Sequence, residues 1–242
     1  MVILGAVASF STTFVVSTMR STAMVNEQNR VLSNSQLANE YMVRRLRNAL
    51  PYSLRVINDG ACLQFMPVVS SGLYLNTLPS EANGAFPSGN FTPISVSPFI
   101  VYEGSPEFLT IAASSADEIY GVAQGSIAEI DAITTNTITL TEDKRWLRNS
   151  LNQRFYITAS PSAFCVFSDE LRLYRSVDIS HSFINSSDDY DLLSQNVEAL
   201  ENAFSISSAV EDRNVRVTLS LRFFDGQHHM DTVKQVVVRN VP

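Results

Sequence analysis

Lysine is nearly absent from this chain: among 242 residues it occurs only at Lys144 and Lys234. No basic patch forms around either one. Affinity for a phosphate backbone comes from clustered Lys and Arg, so nucleic acid is not an expected partner. The charges are also segregated. Residues 1–55 hold six arginines against Glu27 and Glu40, a net of +4. Residues 56–242 hold eleven basic and twenty-two acidic side chains, a net of −11. Histidine is confined to His181, His228 and His229, and no pair of them has the helical spacing of a zinc ligand set. A nucleophile elbow, a phosphate loop and a dinucleotide glycine fingerprint are all missing, and Gly121-Val-Ala-Gln-Gly-Ser126 supplies none of them. The chain is therefore expected not to be an enzyme and to use no cofactor or metal. Asp188, Asp189 and Asp191 lack the glycine and terminal glutamate of a calcium loop and read as a solvated acidic loop. The His228-His229 pair reads as an exposed hairpin tip. Asn90-Phe-Thr92 and Asn185-Ser-Ser187 match glycosylation sequons and carry little weight.

Cysteine is also scarce. Cys62 and Cys165 are the only two, with no CxxC and no nearby histidine, which fits neither a zinc site nor a redox motif. They are either two buried thiols or one disulfide, and an extracytoplasmic location favours the disulfide. Closing so long a loop stabilises a fold by about 4–5 kcal/mol on the chain-entropy model.

What the chain does have is a distinctive start. Charge is absent until Arg20, and the opening is apolar. No basic residue precedes Val2, so the segment is not an ordinary secretory signal. It also carries Ser9, Ser11, Thr12, Thr13, Ser17 and Thr18 and falls just short of the ~20 residues that span a bilayer. It reads as a marginal membrane span. Its one flanking charge, Arg20, would place the head in the cytoplasm. Both oddities vanish if the natural start lies upstream of Met1. From Arg20 onward Val25, Leu32, Leu37 with Ala38, Tyr41 with Met42, Leu46, and Ala49 with Leu50 recur at helical spacing. Asn26, Glu27, Gln28, Asn29, Arg30, Asn34 and Asn39 form the expected solvated side. Arg44, Arg45 and Arg47 complement the helix dipole, and Pro51 ends the run. A helix over residues 1–50 would be roughly 75 Å long, too long to lie wholly on one small head.

The rest, residues 51–242, reads as a β-rich head with no internal repeat or linker. Strands are expected at 53–57, 62–69, 99–102, 108–113, 126–133, 137–141, 154–158, 163–167 and 170–175. Asn58-Asp-Gly60 is a turn, and Trp146 is expected to anchor a core near 142–151. Residues 76–98, with four prolines, read as an irregular insertion. The clearest element is a final hairpin. Val215, Val217, Leu219, Leu221 and Phe223 alternate with Arg216, Thr218, Ser220 and Arg222, Asp225-Gly226 turns, and 233–241 returns. One dry face on an antiparallel sheet needs a cover, and the amphipathic half of the first helix is the natural one.

A long N-terminal helix, apolar and then amphipathic, docked on an antiparallel sheet resembles the architecture of type IV pilins and pseudopilins. Val2-Ile-Leu-Gly-Ala is similar to the middle of the pilin N-terminal segment. Arg44-Arg-Leu-Arg-Asn-Ala-Leu-Pro-Tyr-Ser-Leu-Arg-Val56 is similar to the helix-to-head junction of J/W-type minor pilins. Cys62-Leu-Gln-Phe-Met-Pro67 and Val236-Val-Val-Arg-Asn-Val-Pro242 resemble the minor pilins of MSHA-type pili. Residues 76–160 are not placed by the resemblance. It implies an α+β pilin-like fold in which the apolar half-helix projects and the amphipathic half packs on the sheet. It implies a minor pilin acting in initiation or at the fibre tip, and so in surface adhesion. The implied location is the inner membrane, single-pass, with the head in the periplasm and later in the extracellular pilus. The implied partners are other minor pilins, the major pilin, the inner-membrane assembly platform, membrane lipid and, given an upstream leader, prepilin peptidase. Packing among subunit helices falls to Val2, Ile3, Leu4, Gly5, Val7, Phe10, Phe14, Val15 and Val16, and the insertion at 76–98 is expected to cap the filament or touch a ligand. The family's peptidase motif, a glycine before Phe-Thr-Leu and a glutamate, is missing, which leaves processing unassigned. A type II secretion pseudopilin and a membrane-tethered periplasmic ligand-binding domain are the alternatives.

Overall fold

The computed structural model describes residues 2–50, 52–80, 93–101, 104–121, 125–208, 214–226 and 228–238, with side chains of the first helix from residue 14 onward. Helix α1 runs Val2–Arg47, and Arg44, Arg45 and Arg47 sit in its last turn beside the negative end of its dipole. A short helix α2, Asp117–Tyr120, is the only other α-helix among the described residues. The strands are β1 Arg55–Ile57, β2 Cys62–Phe65, β3 Val68–Leu73, β4 Ile94–Ser95, β5 Phe108–Thr110, β6 Ile127–Ile133 and β7 Thr137–Leu140. They continue as β8 Arg154–Thr158, β9 Ser162–Phe167, β10 Glu170–Tyr174, β11 Asp191–Gln195, β12 Val197–Ser208, β13 Val215–Asp225 and β14 His228–Val238.

These strands form three antiparallel sheets: β1-β2-β9-β10-β11, β12-β13-β14 and β3-β8-β5-β6-β7-β4. The α+β expectation is corrected by this count of structure, since 44% of the chain is strand and only 20% helix. The helical share is one long element; the head consists of sheets rather than a single sheet under a helix.

The sheets are built by two-residue periodicity. In β13 the odd-numbered residues Val215 to Phe223 are buried and the intervening Arg216, Thr218, Ser220 and Arg222 face outward. The buried side packs on α1 through Val31, Ala38, Met42 and Leu46. The same core takes Leu63 and Phe65 of β2, Phe164 of β9, and Leu171 and Leu173 of β10, so α1 is clasped by two sheets. The alternate residues of the five-stranded sheet, Cys62, Ala163, Cys165 and Tyr174, point the other way into a small core with Ile57 and Ile184. Asn58-Asp-Gly60 turns beneath it. Gly60 has φ +90, and a Cβ there would come within 2.6 Å of the Asn202 Oδ1 atom.

The third sheet is an excursion between β2 and β9. Its outer members β3 and β4 meet at an isolated bridge between Tyr74 and Val96. The Leu75 amide donates to Ser95 O at 2.9 Å and the Ser97 amide to Leu73 O at 2.8 Å, which closes the six strands into a small barrel. Trp146, Tyr74, Phe155, Ile138, Leu109 and Ile157 fill it. At its base the Ala159 amide donates to Pro67 O at 3.1 Å, bringing the two ends of the excursion together.

Several expected boundaries shift. No strand forms at 99–101, and 102 lies outside the described residues. The hairpin return begins at His228 rather than at 233. The Pro-rich stretch contributes β4 at Ile94–Ser95, while 81–92 lie outside the described residues.

Candidate assembly surface

Among the described side chains, those of α1 before Glu27 have no partner in the head. Phe14 to Arg30 are all exposed, and Val31 is the first buried side chain. The earliest ties to the head are Glu27, 3.8 Å from His228, and Arg30, which pairs with Asp225. Upstream of these, Phe14, Val15, Val16, Met19, Met24 and Val25 all face solvent. Three of the hydroxyls among them bond back to the helix. Ser17 and Thr18 both donate to Phe14 O, at 2.9 and 2.8 Å, and Thr22 donates to Thr18 O at 2.9 Å. Such back-bonding hides a hydroxyl against its own helix and leaves an apolar outline.

Among the residues expected to pack between helices, Phe14, Val15 and Val16 are exposed. The side chains of Val2, Ile3, Leu4, Gly5, Val7 and Phe10 lie outside the described ones. Among the described residues no helix is long and apolar enough to cross a membrane, so the expected span is not found there.

The docked face of α1 is the expected one in its second part only. Ala38, Met42, Leu46, Ala49 and Leu50 are buried as their spacing implies, joined by Val31 and Ser35, whereas Val25, Leu32 and Leu37 are exposed. Asn39, placed on the solvated side by its polarity, is buried instead. Its amide nitrogen donates to Ser35 O at 2.8 Å and to Thr232 Oγ1 at 3.4 Å, while Ser35 Oγ approaches Met230 Sδ at 3.3 Å. The sheet selects small and polar residues here because β14 runs close to the helix axis.

Cys62 and Cys165 form a disulfide. They are direct partners across β2 and β9, with Cα atoms 4.1 Å apart. The neighbouring Val166 amide bonds Ala61 O, marking the pair as a non-hydrogen-bonded one, where side chains of facing strands come closest.

The remaining candidate residues do not converge. His228 and His229 open β14 at the tip of the hairpin, His228 facing Asp225 across the turn and half-buried, His229 exposed. Asp191 pairs with Arg175 at 2.5 Å, and Asp188 accepts the Asn185 amide at 3.1 Å. Among the described residues no group of three or more His, Cys, Asp or Glu is placed to hold a metal ion. Asn185 is exposed, and Asn90 lies outside the described residues.

One cluster had no signal in the sequence. Glu118 of α2 accepts both guanidinium nitrogens of Arg148, each at 2.9 Å, together with the Ser114 and Ser126 hydroxyls at 2.6 and 2.8 Å. Burial works to raise its pKa, but the bonds from Arg148, Ser114 and Ser126 overcome it and hold the carboxyl at about 2. The pair spans 30 residues, and no short-range pattern announces it. Comparison with family models, with curated proteins and with solved structures returned no match.

Proposed function

We propose that the chain is a minor pilin, a non-enzymatic subunit that helps to build an MSHA-type type IV pilus at initiation or at the fibre tip. The observation that carries this reading is the stretch of α1 from Phe14 to Arg30, exposed throughout. The Ser17, Thr18 and Thr22 hydroxyls are turned back on the helix, and the apolar side chains stand free from Phe14 to Val25. A helix of this kind suits an environment of like helices or lipid, where association rests on close packing and satisfied backbone groups. The second half of α1 is buried against the head through Val31, Ala38, Met42 and Leu46. The disulfide supports a head that works in an oxidising compartment, the periplasm and then the exterior. On this reading the partners are neighbouring minor pilins, the major pilin, the assembly platform and, before incorporation, inner-membrane lipid. The proposal rests on the helix, and the β-dominated head is its cargo.

A photo-crosslinking amino acid placed at Phe14 or Met24 in the native host tests it. The expected outcome is a covalent adduct to another subunit's helix, recovered with fibres sheared from the cell surface, and fewer pili when the gene is removed. Absence of the protein from sheared fibres, with pilus number unchanged on deletion, overturns it.

A further inference from the structure

Nine non-glycine residues among the described ones adopt the left-handed backbone region. Six of them, Asn58, Asp59, Ser168, Asp169, Ser176 and Asn196, are types that turns favour. The other three are Tyr52, Ala112 and Gln153, with φ of 64, 49 and 53°. These three gather at one place. Tyr52 and Ala112 line a cavity of about 260 Å³ between the end of α1 and the barrel, and Gln153 sits between its lining residues Asn152 and Arg154. Strain of this kind costs ~1–3 kcal/mol per residue and persists only where the surroundings over-determine it.

The surroundings do so here. The Ala112 carbonyl accepts from Arg148 at 3.0 Å, and Arg148 is itself locked on Glu118. Asn149 bonds the Leu78 amide and carbonyl at 3.0 and 2.8 Å, and the Ser150 amide donates to the Tyr74 hydroxyl at 2.8 Å. Gln153 donates to Ser150 O and accepts from the Tyr74 amide. The wall at 148–153 is thus pre-organised on both sides, yet it holds Leu151 with 99% of its surface exposed at the rim.

The chemistry of the cavity runs against that of the head. Residues 56–242 are strongly acidic, but among the described residues the only charged ones on the lining are Arg148 and Arg154. Arg148 is neutralised by Glu118, while the Arg154 guanidinium has no hydrogen bond or ion pair among the described residues. Thr110 also lines the cavity, and its buried hydroxyl has no partner there. The rest of the wall is largely apolar, with Leu50 and Tyr156 prominent.

We propose that this cavity binds a carboxylate carried on a small apolar body, the carboxylate meeting Arg154 and the body resting against Leu50, Tyr156 and Leu151. The volume lies just below the 300–1,000 Å³ of drug-sized sites, which suits a single ring or side chain with one acidic group. A free organic acid and the C-terminus of a chain ending in an apolar residue share this chemistry.

Titration of the full chain with 3-phenylpropionate and its neutral amide, followed by ligand-observed NMR, tests the site. Parallel titrations use N-acetyl-Gly-Phe as the free acid and as the amide. The acid is expected to bind about tenfold or more tightly than its amide, the worth of one charge-assisted hydrogen bond. Arg154→Gln should lose the same factor while Trp146 fluorescence stays unchanged, and Thr110→Val should weaken the acid without affecting the fold. Tighter binding of the dipeptide acid identifies a chain terminus as the source, and tighter binding of phenylpropionate a free acid. Equal binding of acid and amide, an Arg154→Gln variant that binds like the parent, or no binding at millimolar concentration overturns the proposal.

Discussion

Glu118 ties α2 to the 148–153 wall through Arg148. It gathers Arg148 and two serines at the point where α2, β6 and the 148–153 wall meet. Its folded pKa of about 2 lies below the ordinary 4.5. A depressed carboxylate contributes stability that is fully present above the unfolded pKa and is lost as pH falls through the folded one. The loss therefore falls between about pH 4.5 and 2. Glu118→Gln keeps the shape and removes the charge, so it should lower stability by roughly 1–3 kcal/mol at neutral pH. It should also flatten the acid limb of the pH–stability curve in urea titrations. An unaltered acid limb would show that other carboxylates govern it.

At the scale of elements, α1 shows what periodicity reveals and what it conceals. Its existence, its end before Pro51 and its contact with the final hairpin follow from the residues, because apolar spacing and proline act locally. The face it buries follows only in part. Ala38, Met42 and Leu46 are buried as their spacing implies, but Leu32 and Leu37 are exposed, and Val31, Ser35 and Asn39 lie against the sheet instead. β12 escapes notice for a related reason: a register shift between Ala199 and Phe204 breaks its alternation. The contrast between the two leucine-sized sites makes a prediction. Met42→Ala empties a site with no exposed surface and should cost about 2–5 kcal/mol in urea unfolding in mild detergent. Leu37→Ala removes a side chain that is 68% exposed and should stay within about 0.5 kcal/mol of the parent. Equal costs would mean that α1 docks through a different face.

The whole molecule is a sheet interrupted by a barrel, and its one disulfide lies at the neck of the interruption. A reading of the chain left two buried thiols or one disulfide, and the facing of Cys62 and Cys165 across β2 and β9 decides for the disulfide. The barrel was not open to such a reading, because its closure rests on Tyr74 meeting Val96 across a Pro-rich stretch that carries no strand signal. The closure changes the energetics of the disulfide. Cys62 and Cys165 are 103 residues apart, which taken alone implies ~4.7 kcal/mol of loop entropy. A folded barrel already joins Pro67 to Ala159, so while it persists the disulfide closes only the short neck. The expected loss in a Cys62→Ala/Cys165→Ala variant is then nearer 3 kcal/mol, about that of a 15-residue loop. The loss should fall on the core shared by α1 and the five-stranded sheet, because β2 and β9 belong to it. Trp146, the single tryptophan, lies in the separate barrel core and reports on that part alone. In urea, the variant's helical circular dichroism should therefore melt before its tryptophan fluorescence, where the oxidised parent melts with both signals together. A variant in which both signals shift equally would show the barrel and the helix core to be a single cooperative unit.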